Sequence, residues 1–331
     1  MSRDRGPRRA RRRARIATAV TALSVTASGC VVVHGERELI PAATRAEAAR
    51  ALTEFTAAYN AADKAYDPAL DAEHTTGALA AIDEARLRAG RANHPRGNPA
   101  YTPLALTDAE FTIPKKPGWP RWFVADARGN KGGDRRWLLA FTRSGPDARW
   151  QAAYLTLAAP DDVPDFRTDA DGWAEAVPAD AAGLAVAPGG LSKAYADCLT
   201  RGGTVFADGA YTSAFRQARE RRASRPGLVS QYIDEPLTGG DQAPLALRTR
   251  DGGALVFFAS RHYEKQTAAR GASVPTPGDD VLALTEGEIK QSLTMEFVSN
   301  EIALDPARGA GEAGRVSVLG RVQGMTSGKG E

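Results

Sequence analysis

The sequence predicts an α+β fold made of two tandem domains, each with N-terminal helices packed on a curved antiparallel β-meander. In each half of the chain, residues with the apolar spacing of an amphipathic helix precede several runs of alternating residues that are typical of strands. Short segments of the first half also recur in the second half in the same order. The length of 331 residues is sufficient for two hydrophobic cores.

The first predicted domain spans residues 44–160 and begins with two helices. Thr44 and Glu47 have the spacing of a capping box, in which each side chain satisfies a free backbone amide of the first turn. Apolar residues then follow at intervals of three or four: Ala48, Leu52, Phe55 and Tyr59. Asp67-Pro68 predicts the start of a second helix with Leu79, Ile82 and Leu87 on its buried face.

Strands are predicted for the rest of this domain. After weaker alternation at residues 104–113, three runs are separated by turn-forming glycines and a proline: 121–128, 136–143 and 149–158. One tryptophan occurs in each run, at Trp122, Trp137 and Trp150. We therefore expect these three indoles to lie on one face of an antiparallel sheet.

A connector and a second domain are predicted after residue 160. Residues 161–190 are rich in Asp, Pro, Gly and Ala and are interpreted as the connector. In the second domain, residues 191–331, helices are expected at 191–199 and 210–223. Strands are expected at 228–233, 244–250, 254–264, 281–286, 292–304 and 315–325. Residues 324–329 have the composition of a flexible tail.

Four short matches suggest that the second domain duplicates the first. They pair residues 103–106 with 244–247, 123–128 with 256–261, 137–142 with 281–285 and 157–160 with 303–306. Their order is the same in both halves and their offsets are similar, which favours a repeat. Chance similarity between strands rich in Ala and Leu is the alternative.

Residues 1–29 have the three regions of a signal peptide. A basic region with eight arginines is followed by an apolar run at residues 16–26 and then by small residues up to Cys30. The quartet Ala27-Ser28-Gly29-Cys30 resembles a bacterial lipobox, although Ala27 stands where a lipobox usually has Leu. The resemblance implies cleavage between Gly29 and Cys30 and a diacylglycerol on the Cys30 thiol. A plain signal peptide, or a basic tail with a chance cysteine, is the alternative, and the export route is open between the general and twin-arginine pathways.

This leader defines the expected location and excludes one class of partner. Residues 30–43 would form a tether, so the protein would be held by lipid at the outer face of the cytoplasmic membrane. The formal net charge is +3, but residues 1–29 contribute +7, which leaves the rest of the chain at −4. Nucleic-acid binding requires a basic surface, and we therefore expect no nucleic-acid partner.

Few residues are candidates for a functional site. The four histidines lack the spacing of a zinc site, and no serine-hydrolase, phosphate-loop or calcium-loop pattern is complete, so neither a catalytic residue, a metal nor a cofactor is predicted. Tyr59 and Asp63, one helical turn apart, are candidates for ligand binding, although core packing and a solvated acid explain them equally well. His262, beside Tyr263 in a predicted strand, is a third candidate, with an ordinary strand position as the alternative.

Helices followed by a meander resemble the nuclear-transport-factor-2-like and cystatin-like domains, and this likeness rests on element order in each half. As a whole, the chain resembles uncharacterised actinobacterial lipoproteins built on a domain of unknown function, a resemblance that implies no activity. We expect a non-enzymatic binding or scaffold module of the cell envelope, with envelope proteins or a small ligand as partners. The alternative is a small-ligand-binding or enzymatic pocket inside one of the cone-shaped domains.

Overall fold

The first helix begins where its capping residues predict. The computed structural model describes residues 38–310 and 314–331. Thr44 donates from its backbone N–H to Glu47 Oε2 at 2.8 Å, and Glu47 donates from its own N–H to Thr44 Oγ1 at 3.1 Å. These two bonds satisfy amides that have no partner within the helix, so the predicted capping box is confirmed.

In each half of the chain a pair of helices precedes a run of strands, which is the element order of an α+β fold. The helices are α1 (Arg45–Ala65), α2 (Gly77–Asn93), α3 (Leu191–Arg201), α4 (Ser213–Ala223) and α5 (Asp279–Ala283). The strands of the first half are β1 (Ile40–Pro41), β2 (Leu106–Thr112), β3 (Pro114–Lys116), β4 (Arg121–Gly129), β5 (Arg136–Arg143) and β6 (Gln151–Ala158). Those that follow are β7 (Ala174–Glu175), β8 (Ser224–Arg225), β9 (Leu228–Leu237), β10 (Leu245–Arg248), β11 (Ala254–Ala268), β12 (Thr285–Glu286), β13 (Ser292–Asp305) and β14 (Ser317–Gly330).

The first half contains a four-stranded antiparallel sheet in the order β2-β4-β5-β6. Phe123 and Phe141 are paired across β4 and β5, and their rings stack 5.0 Å apart. Phe55 of α1 meets Phe141 edge-on at 5.8 Å. All three side chains are buried, so the space between α1 and this sheet is filled by aromatic rings.

The second half contains a seven-stranded sheet in the order β12-β14-β13-β11-β9-β8, with β10 paired to β11. On one face, Tyr195 of α3 lies 5.5 Å from Phe258. On the other face, Phe257 lies 6.1 Å from Tyr154 of β6, whose hydroxyl donates to the carbonyl of Ala243 at 3.0 Å. The two sheets therefore share one apolar layer in which residues of both halves pack together.

Short strands occur within the predicted tether and connector. Ile40 and Pro41 pair with Lys116 and Lys115, so ordered structure begins before residue 44. In the predicted connector, β7 pairs in parallel with β3 and completes a small sheet in the order β1-β3-β7. Residues 38–331 belong to one compact unit. The division into two domains and their duplication stay predictions.

Several local predictions are wrong. The second helix starts at Gly77, because Asp67-Pro68 begins only a short 3-10 turn, Pro68–Leu70. The expected strand at 281–286 is mainly α5 with two strand residues after it, since a short apolar run fits either structure. Residues 324–329 belong to β14, which pairs with β13 along its length, and therefore do not form a tail. The proposed match between residues 137–142 and 281–285 thus compares a strand with a helix.

The three tryptophans do not share one sheet face. Trp122 packs against the second half, whereas Trp137 and Trp150 pack on the side of α1. The cross-strand partner of Phe141 is Phe123, so Trp122, one residue earlier on β4, has the opposite orientation. One tryptophan in each predicted strand therefore does not fix a common face, because the face depends on the register in which each strand pairs.

Candidate functional site

Tyr59 and Asp63, the two predicted ligand-binding residues of α1, meet Arg86 of α2. Asp63 is buried, and its Oδ1 accepts a hydrogen bond from Arg86 Nη1 at 2.6 Å. The guanidinium carbon of Arg86 lies 5.4 Å from the centre of the Tyr59 ring, within the range of a cation–π contact. Burial raises the pKa of the Tyr59 phenol, so the hydroxyl keeps its proton. The structure therefore brings both predicted residues together around one cation.

Two further carboxyl groups, which the sequence analysis missed, complete this cluster. Asp83 Oδ1 accepts hydrogen bonds from Arg86 Nε at 3.1 Å and Nη2 at 2.8 Å. Asp71, which follows the 3-10 turn, lies beside Asp83. Burial, hydrogen bonding toward Asp83 and the charge of Asp83 together raise the pKa of Asp71 to about 8. Oδ2 of each aspartate is buried and has no hydrogen-bond partner among the described residues, so Asp71 holds a proton at neutral pH that it can share with the neighbouring carboxyl.

A surface pocket opens beside this proton-sharing pair. Its volume is about 340 Å³, and Asp71 forms part of its lining. The remaining lining is mostly small and apolar: Pro68, Ala69, Ala72, Thr75, Ala80 and Glu84. A carboxyl pair with one proton can donate as well as accept a hydrogen bond, and it can exchange that proton for a cationic group of a ligand. The chemistry of the pocket therefore suits a small molecule with an ammonium group and a short apolar part.

Replacing Asp71 with asparagine is expected to weaken the dependence of stability on pH. The pKa of Asp71 is raised on folding, so between about pH 4 and pH 8 the folded chain binds a proton that the unfolded chain has released. Stability contributed by this group is therefore highest at acidic pH and is lost as the pH rises toward 8. The amide of the introduced asparagine keeps a donor for Asp83 without a titrating proton. Thermal melts between pH 5 and pH 8.5 should fall less steeply for Asp71→Asn than for the wild type.

Glu84→Gln provides the matched control, because Glu84 lines the same pocket but its side chain is 60% exposed. Its melting temperature should follow the wild-type pH dependence. Equal pH dependence in Asp71→Asn and the wild type would contradict the shared proton.

His262, the third predicted residue, lies in a different part of the fold. It is buried on β11, and its ring stacks on Phe297 of β13 at 4.7 Å. Arg321 Nη2 lies 3.4 Å from His262 Nδ1, a geometry in which the imidazole accepts. Burial and the charges of Arg219 and Arg321 lower the pKa of His262 to about 2, so the ring is neutral at physiological pH. Ligand binding by His262, as by Tyr59 and Asp63, stays a prediction.

Arg219, one of the two cations that lower the pKa of His262, belongs to an ion pair beneath α4. Arg219 of α4 donates from Nη1 to both carboxylate oxygens of Asp234 at 2.8 Å. Their side chains are only 5% and 4% exposed. The guanidinium carbon of Arg219 also lies 4.5 Å from the Phe215 ring centre and 4.9 Å from that of Tyr232. This pair is the main buried contact of α4, because Arg219 is the buried residue of that helix.

A second buried pair joins β13 and β14. Arg321 Nε lies 3.4 Å from Glu301 Oε1, and Arg321 Nη2 donates to Ser299 Oγ at 3.0 Å. Glu301 also accepts from Ser260 Oγ at 2.7 Å. Burial raises the pKa of Glu301 to about 7, although Arg321 and Ser260 act in the opposite direction. Charged side chains therefore fill the interior between α4 and the seven-stranded sheet.

Two of the charged residues that the sequence analysis missed have a recognisable signal. Asp83 follows Leu79 by four residues and Arg219 follows Phe215 by four, so each occupies a helical position where the periodicity predicts an apolar side chain. Glu301 and Arg321 lie in strands that contain other polar residues and give no such signal. Such a charge is rarely buried unless it is paired. The position therefore indicates an ion pair, whereas the identity of its partner depends on tertiary structure.

A family model and two full-length relatives match this chain. The family model described as a domain of unknown function (DUF8094) matches residues 39–330. The chain belongs to the DUF8094 family. It is 72% identical to an uncharacterized lipoprotein of Streptomyces coelicolor and 58% identical to one of Streptomyces avermitilis, in both cases over the full length of both chains. The predicted resemblance to uncharacterised actinobacterial lipoproteins is thereby confirmed.

One more distant relative covers less of the chain. A second uncharacterized lipoprotein of Streptomyces coelicolor is 29% identical over 61% of this chain and 59% of its own. No solved structure matches the DUF8094 chain.

Two general features of this DUF8094 member concern membranes and metals. Within residues 38–310 and 314–331, no helix combines the length and apolar character needed to cross a bilayer. The same residues contain no group of three or more His, Cys, Asp or Glu side chains suited to hold a metal ion. Gly29 and Cys30, the predicted cleavage and lipidation residues, lie outside the described part of the chain.

Proposed function

We propose that this DUF8094 lipoprotein is a non-enzymatic binding or scaffold module, held by lipid on Cys30 at the outer face of the cytoplasmic membrane. The observation that carries the proposal is that the interior of each half is occupied by the protein's own side chains. Phe55, Phe123 and Phe141 fill the space between α1 and the four-stranded sheet. A ligand held inside a cone-shaped domain would require that same space.

The interior of the second half is filled in a different way. Tyr195 and Phe258 close one end of the space between the helices and the seven-stranded sheet. Beneath α4, the ion pairs of Arg219 and Arg321 occupy the rest. Binding is therefore assigned to the surface, where the pocket beside Asp71 is the place for a small cationic ligand.

The lipid anchor is supported by the leader and by the relatives. The leader ends in Ala27-Ser28-Gly29-Cys30, and full-length relatives at 72% and 58% identity carry the name lipoprotein. Within the described residues the first paired strand residue is Ile40, ten positions after Cys30, so few residues lie between the acylated residue and the paired strand. A diacylglycerol supplies two acyl chains, and two chains are sufficient for stable anchoring.

Replacing Cys30 with serine should abolish membrane attachment. The thiol is the proposed acceptor of the diacylglycerol, and a hydroxyl does not replace it in thioether formation. The variant should accumulate as an uncleaved precursor or appear in the culture medium, while the wild type fractionates with membranes. Intact mass of the purified mature protein should show an acylated N-terminal Cys30.

Cys198→Ser is the matched control, because Cys198 is the other cysteine of the chain and lies on α3. That variant should stay in the membrane fraction and be as accessible as the wild type to protease added to intact cells. A mature N terminus at another residue without acyl groups would overturn the proposed anchor.

A further inference from the structure

A small basic and aromatic surface lies next to the point where the chain enters the folded body. It consists of Lys116, Trp119 and Arg121, and is called here the Trp119 patch. Lys116 is the cross-strand partner of Ile40, the first residue of β1. The patch therefore adjoins the end of the segment that leads from Cys30.

Trp119 is exposed, which is uncommon for so large an apolar side chain. Its side chain is 37% accessible to solvent. The guanidinium carbon of Arg121 lies 4.6 Å from its ring centre, and that of Arg143 lies 5.5 Å away. An indole held among guanidinium groups has the composition that proteins place at the headgroup level of a bilayer, where the ring is amphipathic and the cations meet phosphates.

The charges of Lys116 and Arg121 are not balanced locally. Neighbouring Lys115 pairs with Asp169 at 2.6 Å, and Arg143 pairs with Glu47 at 3.5 Å. By contrast, the described ranges 38–310 and 314–331 contain no ion pair to Lys116 or Arg121. Desolvation and the charge of Arg121 lower the pKa of Lys116, as expected for two adjacent cations without a counter-ion. The patch therefore attracts an anionic partner.

The anchor restricts how far this patch can move from the bilayer. Ile40 lies ten positions after Cys30 in the sequence. A chain extends by at most about 3.6 Å per residue, so Ile40 stays within about 36 Å of the acylated residue. The membrane surface is consequently the anionic partner present at the highest local concentration.

We propose that the Trp119 patch docks on the anionic headgroup surface of the bilayer that carries the anchor. This inference rests on the proposed lipid anchor at Cys30. Docking would place the indole of Trp119 among the headgroups and pair Lys116 and Arg121 with lipid phosphates. It would also fix one orientation of the protein, with the β1-β3-β7 sheet toward the membrane and the pocket beside Asp71 elsewhere on the surface.

The test uses the mature, lipidated protein reconstituted in phosphatidylcholine vesicles with 30% phosphatidylglycerol and brominated acyl chains, which quench nearby tryptophan. Trp119 is one of five tryptophans, so up to about a fifth of the fluorescence should be quenched. Trp119→Phe should lose this quenching, whereas Trp137→Phe, at the other end of β5 from the Arg143 that contacts Trp119, should retain it. In the wild type, quenching should be weaker with vesicles of phosphatidylcholine alone. It should also be weaker in 1 M salt, which shortens the Debye length to about 3 Å.

The charged residues are tested with variants of equal net charge. Each basic residue near an anionic surface contributes about a fivefold factor, so Lys116→Gln with Arg121→Gln should lower the ratio of docked to undocked protein roughly 25-fold. Arg221→Gln with Arg222→Gln, on α4, should leave it unchanged.

Flotation of the vesicles separates failure of the anchor from failure of the patch. Protein that does not float contradicts the anchor and this proposal with it. Floating protein with equal quenching in wild type and Trp119→Phe contradicts the patch alone. A second result would also contradict the patch alone: 10 mM inorganic phosphate abolishes the quenching in neutral and in anionic vesicles. The patch would then be a site for free phosphate and not for lipid headgroups.

Discussion

Replacing Arg219 with methionine is expected to lower the free energy of unfolding by about 3–5 kcal/mol. The substitution leaves Asp234, whose side chain is 4% exposed, without the guanidinium that pairs with both of its oxygens. It also removes the contacts of the guanidinium with the Phe215 and Tyr232 rings. Methionine retains much of the apolar volume, so the loss measured by chemical denaturation reports mainly on the unpaired charge.

Arg222→Met is the matched control for this loss, because Arg222 lies on the same helix and is exposed. Its unfolding free energy should stay within about 0.5 kcal/mol of the wild type. Adding Asp234→Asn to Arg219→Met should restore much of the stability, since the second change removes the unpaired charge. If Arg219→Met and Arg222→Met are equally stable, the buried ion pair contributes nothing.

Elements with strong local signals are those that the sequence predicts well. Thr44 and Glu47 satisfy the first turn of α1 through contacts three residues apart, so the capping box is complete within the local sequence. The strands β4 and β5 combine long apolar runs with glycine-rich or proline-containing turns on their flanks. Their antiparallel pairing follows from the short connection between them.

Strand β14 shows why the C-terminal part was predicted incorrectly. Gly320 lies in the strand predicted at 315–325 and Gly324 begins the segment interpreted as a flexible tail, and the structure uses both glycines for close packing. A Cβ at Gly320 would lie 2.6 Å from the carbonyl oxygen of Leu157, and a Cβ at Gly324 would lie 2.8 Å from Ile82. These neighbours are distant in sequence, so the reason for glycine is visible only when β6 and α2 are in place.

The candidate site was predicted only in part for the same reason. Tyr59 and Asp63 lie one turn apart on α1, a relation that helical periodicity supplies. Asp71 and Asp83, by contrast, meet because the 3-10 turn and α2 fold back on α1. His262 was correctly assigned to a strand, but its pairing with Arg321 depends on the order of β11, β13 and β14. Local patterns indicate which residues are unusual, and topology determines which of them meet.

The second large effect is expected for Arg321→Met, which leaves Glu301 as a fully buried acid without a cation. We expect a loss of about 3–5 kcal/mol near pH 8. At pH 5 the loss should be smaller, because burial already raises the pKa of Glu301 to about 7 in the wild type and Arg321 opposes that increase. Removing Arg321 therefore raises this pKa further and keeps the carboxyl protonated over a wider range.

The direction of the pH dependence follows from proton binding. Between the ordinary pKa of a glutamate and its raised value in the fold, the folded chain binds one more proton than the unfolded chain, so stability falls as the pH rises. In Arg321→Met this interval extends above pH 7, and urea titrations at pH 5, 7 and 8.5 should show a steeper decline in stability than in the wild type.

Adding Glu301→Gln should remove the extra slope, because glutamine keeps an acceptor for Ser260 without ionising. Arg315→Met, which replaces an exposed arginine just before β14, should follow the wild type at every pH. A loss in Arg321→Met that is independent of pH would show that the arginine contributes through packing and hydrogen bonds to Ser299 and not through the charge of Glu301.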